Sequence, residues 1–387
     1  MKDEIEGKSM IERYEWLLFG GLLLLALGIH IYSTFGGLIW TSDSFHYWAA
    51  SRSFQTERIF IAWDGGTYTF WPPLFPIILS LFNETAYYVF HIICFISSLL
   101  FIYLFFKQLY EKNIALLSLG IFTFSVYPYL MSSFLWSETI FTFLLFSGLY
   151  YYQNWLQDKQ KNYSLILSSI LLALMCLQRN AGVFILVGLS VYCLIISIKE
   201  KNWKFLTEMA LVHILIVAPS IFWNINQKIQ FPEEFNFSDR PFAIDFFINL
   251  KTLSIEFLSF FIPLKEEVFP LIAVILFLLL TTIFLIQKTK TLPLAIFMSY
   301  IILFLIMPKF ELGETGRFLA PIFPIIILQL TLLSKEALSK FNSRKIKAMI
   351  SVVLVTILLY NIARTAKNVS QWNYRSIHHP KSAKIFF

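Results

Sequence analysis

The sequence predicts an all-α protein, a polytopic transmembrane helical bundle of about eleven spans. Three observations predict it. Of the 387 residues, 57% are hydrophobic and 14% charged, whereas a soluble domain is about 45–50% apolar and about 25% charged. Phe occurs 42 times, more than a water-exposed surface carries. The apolar residues run in solid stretches, and about 20 of them cross a hydrocarbon core about 30 Å thick. Solid rather than alternating runs argue against a β-barrel, and a backbone in lipid must satisfy its own hydrogen bonds, which leaves helices. A soluble globular protein, a coiled coil and a disordered chain are excluded.

The elements follow from the runs. The first, near 16–39, is too long for the core of a cleaved signal peptide and is expected to stay as an anchor. Further spans are expected near 86–106, 114–130, 136–153, 164–178, 182–198, 206–223, 268–286, 291–307, 318–333 and 348–363. The chain thus reads as one transmembrane domain, 1–387, with two long loops on the same side, 40–85 and 225–267. Interfacial helices are expected in both loops. In the second, Asp245, Asn249, Thr252 and Glu256 share one helical face. Phe246, Phe247, Leu250, Phe257 and Leu258 cover much of the rest, the pattern of a helix lying in the membrane interface. Pro241 would open it. This helix is read either as an anchor or as a gate for a lipid substrate. No internal repeat is visible, and beyond Asn361 a short basic tail is expected.

The formal charge is +7, from 31 Lys and Arg against 24 Asp and Glu. With the N-terminus inside, short cytoplasmic connections collect Lys107, Lys112, Lys159, Lys161, Lys199, Lys201, Lys204, Lys335 and Lys340. The C-terminus and both long loops then fall outside. No long basic run interleaves with aromatics, so no nucleic-acid partner is expected. Cys94, Cys176 and Cys193 lie in apolar runs without Cys-x-x-Cys spacing, which argues against a disulfide framework or a thiolate zinc site.

Ionisable groups near membrane depth are costly and point to function. Asp43 follows the first span in TSDSFHYW, with Ser42 placed to cap a short helix and Asp43 in its first turn. His46 and Tyr47 come three and four residues later, on the same face. A carboxylate beside an imidazole suits proton abstraction or metal binding, and simple capping is the other reading. WPPLFP, at 71–76, places Trp71 at an interface, with prolines that fix the chain direction. Glu138 opens the fourth span in SSFLWSETIFTFLLF, after a turn without Lys or Arg, and so needs another partner. Arg179 ends the fifth span, where the helix dipole favours a cation. Arg317, in ETGRFLAPIFPI, opens an apolar helix, an end that disfavours a cation by about 0.3–1 kcal/mol. Glu311 and Glu314, or a bound anion, would compensate it, and phosphate matches a guanidinium bidentately. Asp43, His46, Glu138, Arg179 and Arg317 all fall on the outer face, from four connections, which suggests one assembled site.

In order and spacing, SDSFHYW, WPPLFP, SSFLWSETIFTFLLFSGLY, QRNAG and GRFLAPIFP resemble the GT-C superfamily of integral membrane glycosyltransferases, in its PMT-like and ArnT-like branch. Asp43-Ser44 with His46, Ser137-Glu138 and Arg179-Asn180-Ala181-Gly182 are also similar to PIG-V-type mannosyltransferases of GPI-anchor synthesis. The likeness covers roughly 40–190 and 311–328. It implies a lumenal or extracytoplasmic active site and transfer of mannose or another hexose from a polyprenyl-phosphate donor, usually with inversion. The acceptor would be a hydroxyl of a lipid-linked, glycan or protein substrate. Asp43 would be the general base and Arg317 would meet the donor phosphate. Arg179, His46, Tyr47 and Glu138 would be substrate-binding positions. A divalent cation is left open, with Asp43, His46 and Glu138 as its ligands if there is one. The setting would be a bacterial inner membrane or a eukaryotic endoplasmic reticulum membrane, with membrane lipids as partners. One departure is the lack of a long soluble domain after the last span, which weighs against protein-acceptor recognition of the oligosaccharyltransferase kind. No P-loop, dinucleotide-binding Gly pattern or Asp-x-Asp motif suggests a nucleotide donor. The competing reading is a polytopic lipid or solute transporter or flippase, although transporters favour inverted repeats and broken helices at mid-membrane.

Overall fold

The computed structural model describes residues 10–69, 71–232, 242–262, 270–286, 292–306 and 312–381. In chain order the helices are α1 (Met10–Ser33), α2 (Ser42–Glu57), α3 (Leu74–Ser80), α4 (Glu84–Leu109), α5 (Lys112–Thr123), α6 (Tyr127–Ser132), α7 (Glu138–Gln157) and α8 (Asn162–Gln178). They continue as α9 (Ala181–Glu200), α10 (Trp203–Gln230), α11 (Phe242–Ser259), α12 (Pro270–Ile286), α13 (Leu292–Ile306), α14 (Leu312–Leu319), α15 (Phe323–Lys340) and α16 (Arg344–His378). Each predicted apolar run coincides with one of α1, α4, α5, α7, α8, α9, α10, α12, α13, α15 or α16. Tyr14–Ser33, Glu84–Leu109, Ala181–Glu200, Trp203–Gln230, Thr315–Lys340 and Arg344–His378 are long and apolar enough to cross a membrane. α5, α8, α12 and α13 are shorter apolar helices. The chain is an integral membrane protein, and α7, buried over most of its length, packs between α4 and α8.

Antiparallel neighbours bring helix ends together. At one end, Ser33 Oγ lies 2.8 Å from Ser133 Oγ, and His91 Nε2 lies 3.0 Å from the Ser132 carbonyl. At the other end, Glu15 of α1 meets Lys107 of α4 and Lys112 of α5. The first of these ends carries the loops that hold the polar residues.

Several boundaries differ from those expected. The first span stops at Ser33 rather than 39, because Ile39 is extended: its N–H donates to the Ser133 carbonyl (3.0 Å) and its carbonyl accepts from Leu135 N–H (2.9 Å). The run expected at 114–130 breaks after Thr123 and restarts as α6, with Pro128 in its first turn, where a missing N–H costs nothing. The expected short tail is instead the far end of α16. It docks on the first loop, where Arg375 Nη2 donates to the Trp40 carbonyl (3.1 Å) and Gly36 N–H to Ser376 Oγ (3.1 Å). A Cβ on Gly36 would lie 2.2 Å from the Ser376 carbonyl oxygen, so only glycine allows this approach. In α11 the expected polar face does not meet water: Asp245, Asn249 and Thr252 are buried, while Ile244 and Phe247 are exposed. Pro241 lies outside the described residues.

Candidate active site

The start of α2 is fixed by the segment that precedes α7. Thr41, not Ser42, holds the cap position: its N–H donates to Ser44 Oγ (2.9 Å), and its Oγ1 accepts from Trp136 Nε1 (2.8 Å). Ser44 Oγ donates in turn to the Leu135 carbonyl (3.0 Å). These contacts place Asp43, in the first turn of α2, next to Glu138, the first residue of α7.

Two arginines join them. Arg317 Nη1 is 2.5 Å from Asp43 Oδ2, and Arg317 Nε donates to Glu138 Oε1. Arg179 Nη1 is 2.5 Å from the same Glu138 oxygen and donates to Ser137 Oγ (3.0 Å). The Arg317 guanidinium also lies 4.2 Å from the centre of the Trp136 ring, a cation–π contact. The Glu138 side chain is 0% exposed, Arg317 6%, Arg179 11% and Asp43 23%, so Asp43 stands at the mouth and the rest lie behind it. Two acids and two cations compensate one another, as buried charges must. A carboxylate shared by two guanidinia does more than cap the start of α7.

Arg317 does not open the long apolar helix. It sits in the last turn of α14, and α15 begins only at Phe323, after a 3-10 turn over Ala320–Ile322. Proline at 321 and 324 causes this restart. The dipole of α14 therefore favours the cation rather than opposing it. Its compensation comes from Glu138 and Asp43; Glu311 and the side chain of Glu314 lie outside the described residues.

Residues not assigned to a site from sequence hold α14 in place. Tyr300 of α13 donates to the Phe318 carbonyl (2.7 Å). A Cβ on Gly316 would lie 2.7 Å from Glu256 Oε1, so glycine lets α11 abut α14 beside Arg317. Glu256 is itself held by Tyr127 Oη (3.2 Å) and faces Arg364 at 3.6 Å. A glycine immediately before a buried arginine was the available signal for this close approach.

Tyr47 is buried against Phe75 and Trp71, with ring centres 4.8 and 5.7 Å away. Burial pushes its phenol well above the usual range and the Asp43 carboxylate adds to this, so Tyr47 offers a hydroxyl and not a phenolate. His46 does not join the ion cluster; its ring lies 5.3 Å from that of Trp71. Among the described residues no three His, Cys, Asp or Glu side chains group as metal ligands, and Arg317 occupies the place between Asp43 and Glu138. In this arrangement Asp43 and Glu138 meet through Arg317, and His46 lies against Trp71.

The family model of dolichyl-phosphate-mannose-protein mannosyltransferases matches residues 71–223, which include Glu138 and Arg179 but neither Asp43 nor Arg317. No curated protein matches the sequence. ArnT from Cupriavidus metallidurans, solved bound to undecaprenyl phosphate, aligns with a TM-score of 0.59 at 12% identity over 94% of this chain and 78% of ArnT. The oligosaccharyltransferase AglB from Archaeoglobus fulgidus, solved with an inhibitory peptide and a dolichol-phosphate, aligns with a TM-score of 0.57 at 12% identity. That alignment covers 94% of this chain and 56% of AglB, so the chain spans little more than half of that protein. The chain has the GT-C fold. The resemblance read from short motifs is thus matched by the course of the backbone, and the GT-C fold gathers those motifs at one end of the bundle.

Proposed function

We propose that the protein is a membrane glycosyltransferase that moves a hexose from a polyprenyl-phosphate donor to an acceptor hydroxyl, with inversion, at the extracytoplasmic face. The observation that carries this reading is the cluster itself: Asp43 at the mouth, with two buried arginines behind it on Glu138. ArnT and AglB, which share the fold, were solved with polyprenyl-type phosphates bound.

A donor of this class keeps its tail in lipid and its sugar at the interface, where the cluster lies. The acceptor oxygen attacks the anomeric carbon as the bond from that carbon to the phosphate oxygen breaks. The bonding pair leaves on the phosphate, and the acceptor proton goes to Asp43. The departing phosphate monoester, with a second pKa of about 6, needs positive charge more than a proton, and Arg317 and Arg179 supply it. At rest Arg317 is taken by Asp43. A phosphate that takes over Arg317 Nη1 releases Asp43, so donor binding would free the base at the moment it is needed. Glu138 keeps both guanidinia turned toward the mouth.

The test is mass spectrometry of lipids from cells lacking the gene, paired with transfer of radiolabelled hexose from polyprenyl phosphate by the purified protein in proteoliposomes. The expected result is an acceptor short by one hexose in the cells and label moved to it in vitro. A normal acceptor with an untransferred label would overturn the reading, and lipid or solute translocation by the protein in the same vesicles would point to a transporter.

A further inference from the structure

The ion cluster is one side of a closed ring of contacts. From Asp43 the ring runs one turn along α2 to His46, then to Trp71 (5.3 Å between ring centres), Tyr68 (5.4 Å), Phe60 (5.9 Å) and Trp223 of α10 (5.6 Å). Next to Trp223, Asn224 Nδ2 donates to Asn180 Oδ1 (3.3 Å), and Asn180 follows Arg179 in the chain. Arg179, Glu138 and Arg317 then close the ring back to Asp43. Tyr68, Glu138 and Arg317 are buried, and every other member keeps partial exposure. The ring has an ionic stretch and an aromatic stretch, the aromatic wall, which join through the amides at one junction and His46 at the other. His46 Nδ1 is buried without a hydrogen-bond partner among the described residues.

We infer that the aromatic wall is an acceptor subsite for a sugar ring, so that the acceptor is a hexose-terminated glycan or glycolipid. The inference rests on the proposed transfer reaction and adds the substrate class. With the donor phosphate on the arginines, an inverting displacement brings the nucleophile from the far side of the anomeric carbon. The wall of Trp71, Phe60 and Trp223, with Asp43 at its edge to take the proton, would supply that side. A pyranose offers the two surfaces this wall needs. Its C–H face is apolar and lies against aromatic rings, while its hydroxyls reach a few convergent polar groups. Here those groups are the unpartnered His46 Nδ1 and the Asn180 and Asn224 side chains. A peptide recognised by strand addition would need a free sheet edge, and the ring is built of helix and loop side chains.

The experiment uses the full protein in lipid nanodiscs without donor, titrated with the methyl glycosides of mannose, glucose and galactose and with a Ser/Thr-containing peptide, read by saturation-transfer NMR. At least one glycoside should bind, the peptide should not, and Trp71→Ala should weaken the glycoside about tenfold. Trp71→Phe, which keeps an aromatic face, should retain most of the affinity. Trp63→Ala, an exposed tryptophan outside the ring, should leave it unchanged. Binding of the peptide instead, or glycoside affinity indifferent to Trp71→Ala in a protein that still elutes as a single folded species, would overturn the assignment. Should Trp71→Ala fail to fold, Trp223→Ala and the Phe variant carry the same comparison. Because no donor is present, glycoside binding without any later transfer would sink the proposed reaction and leave this subsite standing.

Discussion

At each end of the bundle a shielded glutamate meets two cations, and the two clusters differ in nearly everything else. Glu15 of α1 takes Lys107, which also lies over the Trp16 ring, and Lys112 at 3.8 Å, with Tyr103 Oη donating at 2.5 Å. Its lysine side chains are 34% and 29% exposed. Glu138 takes two arginines that are almost wholly removed from water. An ammonium is a hydrated point charge on a flexible stem and needs solvent nearby, whereas a guanidinium is a planar fork that can be buried and still bind two acceptors. The lysine cluster ties helix ends together at the membrane surface. The arginine cluster holds its donors in fixed directions and has an additional acid, Asp43, that sits toward solvent. Asp43 balances the second cation at rest, and an anion that took over Arg317 would replace that charge and leave the carboxylate free to accept a proton. The Glu15 cluster has no counterpart to this second acid in the described residues.

The largest expected effect tests that second acid. Asp43→Asn keeps the shape and an acceptor for Arg317 while removing the proposed base. Hexose transfer at saturating donor should fall by about 10²–10⁴-fold, with donor affinity unchanged or raised, because Asn gives up Arg317 more readily than a carboxylate does. Turnover close to that of the unmodified protein would show that Asp43 only compensates charge, as the Lys–Glu cluster does.

Next comes the acid that both arginines share. Glu138→Ala leaves two guanidinia facing each other in a buried site, and breaking a buried ionic set in this way costs about 3–5 kcal/mol. The measurement is thermal unfolding of the protein in detergent, side by side with Glu15→Ala. Equal losses for the two would mean that burial and guanidinium geometry do not separate the clusters.

The helices were legible in the sequence because lipid imposes one rule on every span, and α1, α4, α9 and α10 obey it over long apolar runs. What was not legible came from contacts between segments far apart. Ile39 reads as the end of a span by hydropathy, yet it is extended because it hydrogen-bonds Ser133 and Leu135. The residues beyond Asn361 read as a tail because their charge is high, but α16 continues, since Arg375 and Ser376 find partners in the first loop. The polar residues of the site stood out because charges are rare in this chain. Their pairing did not: Arg317 seemed set at the wrong end of a helix until α14 and α15 were seen to be separate. Glu256 was visible as one of four polar residues on a face, but nothing local said that the face packs inward against Gly316.

The smallest expected effect falls on the lysine end, and it sharpens the contrast most directly. Glu15→Gln removes one negative charge but keeps an acceptor for Tyr103 and for the Lys107 ammonium. Both lysines retain water, so neither is left as an uncompensated buried charge. Ion pairs with this much solvent access contribute about 0–1 kcal/mol, and the melting temperature in detergent should shift only slightly. Raising the salt concentration should shrink even that difference, because exposed charges are screened over about 10 Å at 0.1 M ionic strength. The loss from Glu138→Ala should persist in the same salt, since counterions do not reach side chains buried behind Asp43. A salt-insensitive destabilisation from Glu15→Gln would place that cluster in the same class as the arginine site, and the distinction between a helix tie and a functional centre would then have to rest on Asp43 alone.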